Sequence, residues 1–278
     1  MKSFPPQRIR NVALVGHGGA GKTTLTEALL FRSGAINRQG RVEDGTTTTD
    51  FDAEEIKRTI SVSVAMAPVV HDGHKLNLLD CPGYADFMTD VEAALRVADL
   101  AVFVVSAVEG VEVQTEVAWK LASRLNVPRM IFMNKMDRER ASFDRVLEQL
   151  TDGFGAGIAP LQLPIGQEHD FKGVTDLLTD TAVVYDDGTP RTVDIPAELE
   201  GRERTVHETL VEGIVVSDDD LMERYLEGDT PSPKELEDAL AKGVAAAQVF
   251  PVLCGSASRG VAVDRLAQYI CEVGTSPV

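Results

Sequence analysis

Three features of this 278-residue sequence predict an α/β fold: a mostly parallel sheet with helices on both faces and an inserted α+β subdomain. Short apolar runs of strand length alternate with amphipathic stretches of ten or more residues, the pattern of a parallel sheet covered on both sides. A glycine-rich turn joins the first such run to the first helical stretch. Charge is concentrated in one segment: residues 164–250 hold 21 acids and 7 bases, a net of −14, against −3 for residues 1–163, and residues 251–278 are balanced. Pro164 and Pro251 mark its edges. Residues 1–163 and 251–278 are therefore expected to form one core, interrupted by an acidic inserted subdomain over 164–250.

The strands and helices follow in order. Ile9 to Val15 (IRNVALV) is a β-branched run that leads through glycines into a helical pattern from Lys22 to about Phe31. Lys75 to Leu79 is a second strand ending at Asp80, and Phe87, Val91, Ala94, Leu95 and Ala98 then recur at helical spacing. Ala101 to Val105 is a buried-type strand. Val113, Val117, Leu121 and Leu125 form the stripe of a helix that stops before Pro128. Met130 to Met133 and Val249 to Leu253 are further strands, and Val261 to Ile270 a last helix. In the acidic segment, ELEGRERTVHETLVEGIV, DDDLMERYL and the stretch after Pro231 read as helices. VTDLL reads as a helix or loop leading to a hairpin that turns at Asp187-Gly188.

Composition excludes several classes. A formal charge of −17 and a pI near 4.7 argue against wrapping DNA through a broad basic surface. Cys81, Cys254 and Cys271 are far apart, without zinc or disulfide spacing. The longest apolar stretches, such as Leu100 to Val105, are far short of a membrane span, and MKSFPPQRIRN is no signal peptide. A soluble, cytoplasmic protein is expected.

The chemistry lies in the turns after the strands. GHGGAGKT, Gly16 to Thr23, has the GxxxxGK[ST] form between a strand and a helix, the context in which it binds phosphate. Backbone N–H groups around Gly18 to Lys22, aided by the helix dipole, would surround a β-phosphate. Lys22 would bridge β- and γ-phosphates, and the Thr23 hydroxyl would reach Mg²⁺. Asp80, in DCPG 58 residues after Lys22, can hold a water of the Mg²⁺ shell, and Gly83 can offer its N–H to a γ-phosphate. NKMD, Asn134 to Asp137, selects the base: the Asp137 carboxylate can accept from N1–H and the exocyclic amine of guanine, a pair adenine does not offer. Asn134 would tie this loop to the phosphate loop or to the base edge, and the Lys135 stem would cover the ring. Ser256 and Ala257 fit a last loop whose backbone reads the base oxygen.

With these four elements in order, the chain resembles the GTPase domain of elongation factor G and its paralogues, the translocase branch of the translational GTPases. The resemblance covers essentially the whole sequence. It rests on GHGGAGKTTLTEALL, EIKRTISVSVA, NLLDCPGYADF, EAALRVADLAVFVVSAVEGVEVQTEVAW, IFMNKMDR and CGSASRGVAV. It implies a P-loop GTPase fold that takes GTP and GDP with Mg²⁺. Gly16, His17, Gly18, Gly19, Ala20, Gly21, Lys22, Thr23 and Thr24 are then the phosphate loop, and Thr23, Ser61 and Asp80 the metal set. Lys22, Gly83 and Tyr84 stand at the reacting end. The interval of 119 positions from Asp137 to Ser256 would house the subdomain that elongation factor G carries there, opening at LPIG (Leu163 to Gly166), FKGVTDLL and VVY. Family members are much longer, so the chain is expected to be part of a longer protein or an isolated, monomeric module.

Three positions depart from the family pattern. Gly19 replaces a usual aspartate, removing a carboxylate beside the phosphates. Arg58-Thr59-Ile60-Ser61 replaces RGIT: Ser61 keeps a hydroxyl for Mg²⁺, while Thr59 narrows the backbone choices of a glycine. Tyr84 stands where related sequences carry a water-orienting histidine. A phenol can hydrogen-bond water but does not become a cation near neutrality, as imidazole does. The expected activity is therefore slow GTP hydrolysis in connection with the ribosome. The alternatives are a GTP-binding switch without turnover acting on ribosomes, and a ribosome-protection or recycling factor.

Overall fold

In the computed structural model, which describes residues 3–186, 188–216 and 218–278, the chain alternates strands and helices from its start. The core contains β1 (Ile9–Val15), α1 (Lys22–Arg32), α2 (Ala53–Arg58), β2 (Ala65–His71), β3 (His74–Asp80), α3 (Met88–Val97), β4 (Leu100–Ser106), α4 (Val113–Arg124), β5 (Arg129–Asn134), α5 (Phe143–Phe154) and β6 (Ile158–Pro160). The inserted segment follows, with β7 (Gln162–Ile165), β8 (Gly173–Asp176), β9 (Thr181–Asp186), β10 (Thr189–Val193), α6 (Ala197–Val215), α7 (Asp219–Leu226) and α8 (Pro233–Ala245). β11 (Phe250–Cys254) and α9 (Val263–Glu272) return to the core.

Among the described residues seven strands form one sheet in the order β2-β3-β1-β4-β5-β11-β6, parallel except for the antiparallel edge strand β2. The path from β1 through α1 to β3 runs one way along the sheet, and the paths from β3 to β4 and β4 to β5 run the other way. Right-handed crossovers then require α1 on one face and α3 and α4 on the opposite face. β1 is thus the point where strand order reverses, and its carboxyl end opens the crevice in which such sheets bind ligands. The turns after β1, β3, β5 and β11 all lie on this edge. Every residue of β4, β5 and β11 is buried, as strands covered on both faces must be. Trp119 of α4 is the centre of one flank, stacked on Phe154 with ring centroids 4.1 Å apart and edge-on to Phe103 and Phe250.

The insert builds its own antiparallel sheet, β10-β9-β8-β7, beside α6, α7 and α8. The stretch VTDLL corrects the sequence expectation of a helix or loop: Gly173–Asp176 is a strand pairing with both β7 and β9. It pairs on both sides and is fully buried, so it lacks the polar/apolar alternation that marks a half-exposed strand. β9 and β10 pair antiparallel, as the hairpin reading requires; Gly188 has φ +75°, while Asp187 of the expected turn lies outside the described residues. α8 begins with a capping box in which Ser232 and Glu235 each bond the other's backbone. Four core elements had no sequence reading: α2, the edge strand β2, α5 and the short strand β6.

Candidate functional site: a phosphate loop and a base cavity

The phosphate loop is shaped by what its backbone must do. Gly21 caps α1 in a left-handed conformation, φ +95°, and a Cβ there would stand 2.4 Å from Asn134 Nδ2, so only glycine fits. Asn134 holds this end of the sheet together: its Nδ2 donates to the Ala20 carbonyl at 2.9 Å, and its Oδ1 accepts from the Ala257 N–H at 3.0 Å. One side chain therefore joins the turns after β1, β5 and β11. Gly83, after β3, lies directly on the phosphate loop; a Cβ there would be 2.5 Å from Lys22 Nζ and 2.6 Å from the Gly18 nitrogen.

Gly18, Gly19, Gly21, Lys22, Thr23, Thr24, Ser61, Gly83 and Tyr84 line a cavity of about 240 Å³ with Asp50, Thr59 and Ile60. Lys22 is buried, and burial lowers its pKa. Its Nζ donates to the carbonyls of Gly16 and His17, 3.0 Å each, so the lysine is folded onto its own loop. The Thr23 and Ser61 hydroxyls are 3.2 Å apart. Asp80 accepts from the Thr49 hydroxyl at 2.7 Å on one oxygen, while the other is buried with no partner. Burial pushes Asp80 up to about 6, against the Thr49 hydrogen bond and Lys22. Two hydroxyls and a carboxylate give hard oxygen donors of the kind Mg²⁺ takes, and Mg²⁺ binds through few protein ligands with waters and phosphates completing its shell.

A second cavity, about 560 Å³, shares Gly19, Gly21 and Thr24 with the first and is lined by Asn134, Lys135, Arg138 and Ser258 among others. Lys135 has φ +64°, and its Nζ is 3.3 Å from Glu109. Asp137 lies between lining residues without being one. One of its oxygens is buried and unpartnered, and the other is 3.9 Å from Arg138 Nε. Among the described residues, the buried carboxylate oxygens without a partner are those of Asp80 and Asp137. The N–H of Ser256 is taken by the Val261 carbonyl and that of Ala257 by Asn134, which leaves Ser258 as this loop's residue on the cavity wall. His17 lines neither cavity; it is buried 3.5 Å from the Thr115 hydroxyl, and burial together with Lys22 lowers its pKa to about 4. Gly16 and Ala20 shape the loop from behind.

Residues with no sequence reading complete the site. Glu27, buried in α1, accepts from the Gly40 N–H at 2.7 Å and the Thr48 N–H at 2.5 Å, and so holds the segment before α2. Glu55 accepts from the N–H groups of Val62 and Ser63, next to Ser61. Asp50, its pKa raised by burial, faces the phosphate cavity. These partners are 7 to 21 positions away along the chain, and the pairing has no local signature. Thr59, where the family pattern has glycine, adopts φ +56°, a left-handed conformation costly for a β-branched residue.

The family described as "Elongation factor Tu GTP binding domain" matches residues 7–275. A crystal structure of a protein from Thermus thermophilus is similar with a TM-score of 0.93 and 40% sequence identity, covering 98% of this chain and 41% of that chain. This chain thus spans about two fifths of the length of that protein. No helix among the described residues is long and apolar enough to cross a membrane.

Proposed function

Because the chain belongs to the elongation factor Tu GTP-binding domain family, as a translational GTPase domain of elongation factor G type, we propose that it binds GTP and GDP with Mg²⁺ and hydrolyses GTP slowly in connection with the ribosome. The observation that carries this is the pair of orphaned carboxylate oxygens. Asp80 Oδ1 lies beside the phosphate loop and Asp137 Oδ1 beside the base cavity, and a buried acceptor without a donor is costly unless a ligand supplies one. Asp137 would take the two N–H groups of guanine. Lys22 would exchange the carbonyls of Gly16 and His17 for phosphate oxygens. Thr23, Ser61 and Asp80 would hold Mg²⁺, which when bound neutralises charge on the β- and γ-phosphates.

The reaction is in-line attack of water on the γ-phosphorus, breaking its bond to the β-phosphate oxygen. The loop N–H groups and Lys22 meet the charge that develops, while Gly83 and Tyr84 face the attacking side. Tyr84 supplies no cation there and Gly19 no carboxylate, so hydrolysis is slow. The acidic insert, net −14 over residues 164–250, favours basic protein surfaces of a ribosome over its RNA. The place of action is the cytoplasm. The test is GTP turnover of the purified chain with and without ribosomes, beside calorimetric titration with GDP. Guanine-selective binding with slow turnover is expected, and absence of nucleotide binding overturns the reading. A switch without turnover is the second reading, favoured by the left-handed Thr59 in the loop that carries Ser61; no phosphate release within hours would select it.

A further inference from the structure

Gly18 and Tyr84 are 66 positions apart in the sequence and meet in the fold. Of the four glycines in the phosphate loop, Gly16, Gly19 and Gly21 have positive φ, while Gly18 does not. Its φ is therefore not one that calls for glycine. What it lacks is space: a Cβ on Gly18 would stand 2.9 Å from Cζ of the Tyr84 ring, 3.0 Å from Cε2 and 3.2 Å from Cε1. Carbon atoms pack at about 3.5–4.0 Å, so the ring fills the volume a side chain at 18 would need.

The ring is not there as core. Tyr84 is 44% exposed, and both residues line the phosphate cavity with Lys22, Thr23 and Ser61. Its backbone is constrained as well, since the preceding Gly83 already lies against Lys22 Nζ and the Gly18 nitrogen. The ring atom nearest the place a Cβ at 18 would take is Cζ, the carbon that bears the hydroxyl. The donor end of the phenol is therefore the part seated over the loop.

We propose that Gly18 and Tyr84 form one γ-phosphate-sensing unit, in which the missing side chain at 18 seats the phenol and the seated hydroxyl distinguishes GTP from GDP. A phenolic O–H donating to an ionised phosphate oxygen is a charge-assisted hydrogen bond. GDP, which ends at the β-phosphate, would not receive it. The proposal rests on the reading of Gly16 to Thr24 as a phosphate site.

Calorimetric titration of the chain with GDP and with the β,γ-imido analogue of GTP, both with Mg²⁺, tests it. Tyr84→Phe is expected to weaken the analogue about tenfold, the scale of one charge-assisted hydrogen bond, while GDP stays within about twofold. Gly18→Ala is expected to weaken the analogue about tenfold more than it weakens GDP, by unseating the ring. Added to Tyr84→Ala, Gly18→Ala should cost nothing further, because no ring remains to be displaced. Equal weakening of both nucleotides by Gly18→Ala, or the same loss in the Tyr84→Ala background, would overturn the pairing in favour of a backbone effect. Unchanged analogue affinity in Tyr84→Phe would overturn the role of the hydroxyl. A wild-type chain that binds neither nucleotide would remove the phosphate-site reading and the pair with it.

Discussion

The nucleotide edge of the core and the seam between core and insert both bury carboxylates, and they treat them in opposite ways. At the seam Asp176 is fully buried and fully satisfied. One oxygen accepts from the N–H groups of Leu178 and Thr179 at 3.2 Å each, and the other from the Tyr269 hydroxyl at 2.8 Å and from Arg265. At the nucleotide edge Asp80 and Asp137 each keep one buried oxygen with no donor. A desolvated carboxylate with all its hydrogen bonds made is structure; one left short of a donor is tolerated where a ligand completes it. The two regions therefore predict opposite responses to mutation: stability without affinity at the seam, affinity without stability at the edge.

The largest effect should come from the seam. Asp176→Ala leaves Arg265 and Tyr269 facing a hole, and losing one partner of a buried pair costs about 3–5 kcal/mol. Urea denaturation should register that loss while GDP affinity, measured at low temperature where the variant is folded, stays within about twofold. A large loss of affinity together with stability would erase the distinction between the regions.

Lys22→Ala should be its mirror image. The hydrogen bonds of Nζ go to the carbonyls of its own loop, so they tie no other element of the fold together. GDP affinity should fall at least about 100-fold, roughly 2.7 kcal/mol, with far-UV circular dichroism and melting unaltered. Retained affinity would show that the loop does not grip phosphate.

Asp137→Asn should cost roughly 2–3 kcal/mol of GDP affinity, the value of hydrogen bonds to a charged acceptor. The amide keeps one acceptor and replaces the other with a donor that faces the guanine N–H groups. Titration of GDP against both proteins decides it, and an equal dissociation constant would detach Asp137 from the base.

The same contrast explains what the sequence disclosed. The turns after β1, β3 and β5 were legible because each carries its chemistry in consecutive residues beside a strand: GHGGAGKT, DCPG and NKMD. The buried strands β4, β5 and β11 were legible as continuous apolar runs. β2 was not, since an edge strand with exposed Met66, Pro68 and Val70 has few residues obliged to be apolar. α5 went unread although Ser142 caps it and Phe143, Val146 and Leu150 are buried on one face at helical spacing; that signal was present. Glu27 and Glu55 were illegible for a different reason. Their donors are backbone N–H groups, which every residue but proline owns, so nothing in the composition of Gly40, Thr48, Val62 or Ser63 announces the bond. The Gly18–Tyr84 contact is a tertiary fit between two positions whose identities make sense only together.

The smallest expected effect sharpens the comparison most, because it separates rate from affinity within the nucleotide edge. Tyr84 lies on the phosphate loop at Gly18, and the groups proposed to grip base and β-phosphate are others: Asn134, Asp137, Lys22 and the loop N–H groups. Replacing the phenol by an imidazole should leave GDP affinity nearly unchanged. It introduces a ring that can take up a proton near neutrality and so place positive charge beside the γ-phosphate, where charge develops in the reaction. Nothing at Gly19 offers a compensating carboxylate, so the charge introduced at 84 acts on the barrier without one beside it. Tyr84→His should raise the ribosome-stimulated rate at least about tenfold, 1.4 kcal/mol in the barrier. The gain is limited because the shorter ring no longer fills the space over Gly18 and is held less firmly. Single-turnover phosphate release on ribosomes, wild type beside variant, measures it. Rapid release by the wild type, or no gain in the variant, would mean that a ribosomal group supplies what Tyr84 lacks, and that the slow step lies outside this edge of the sheet.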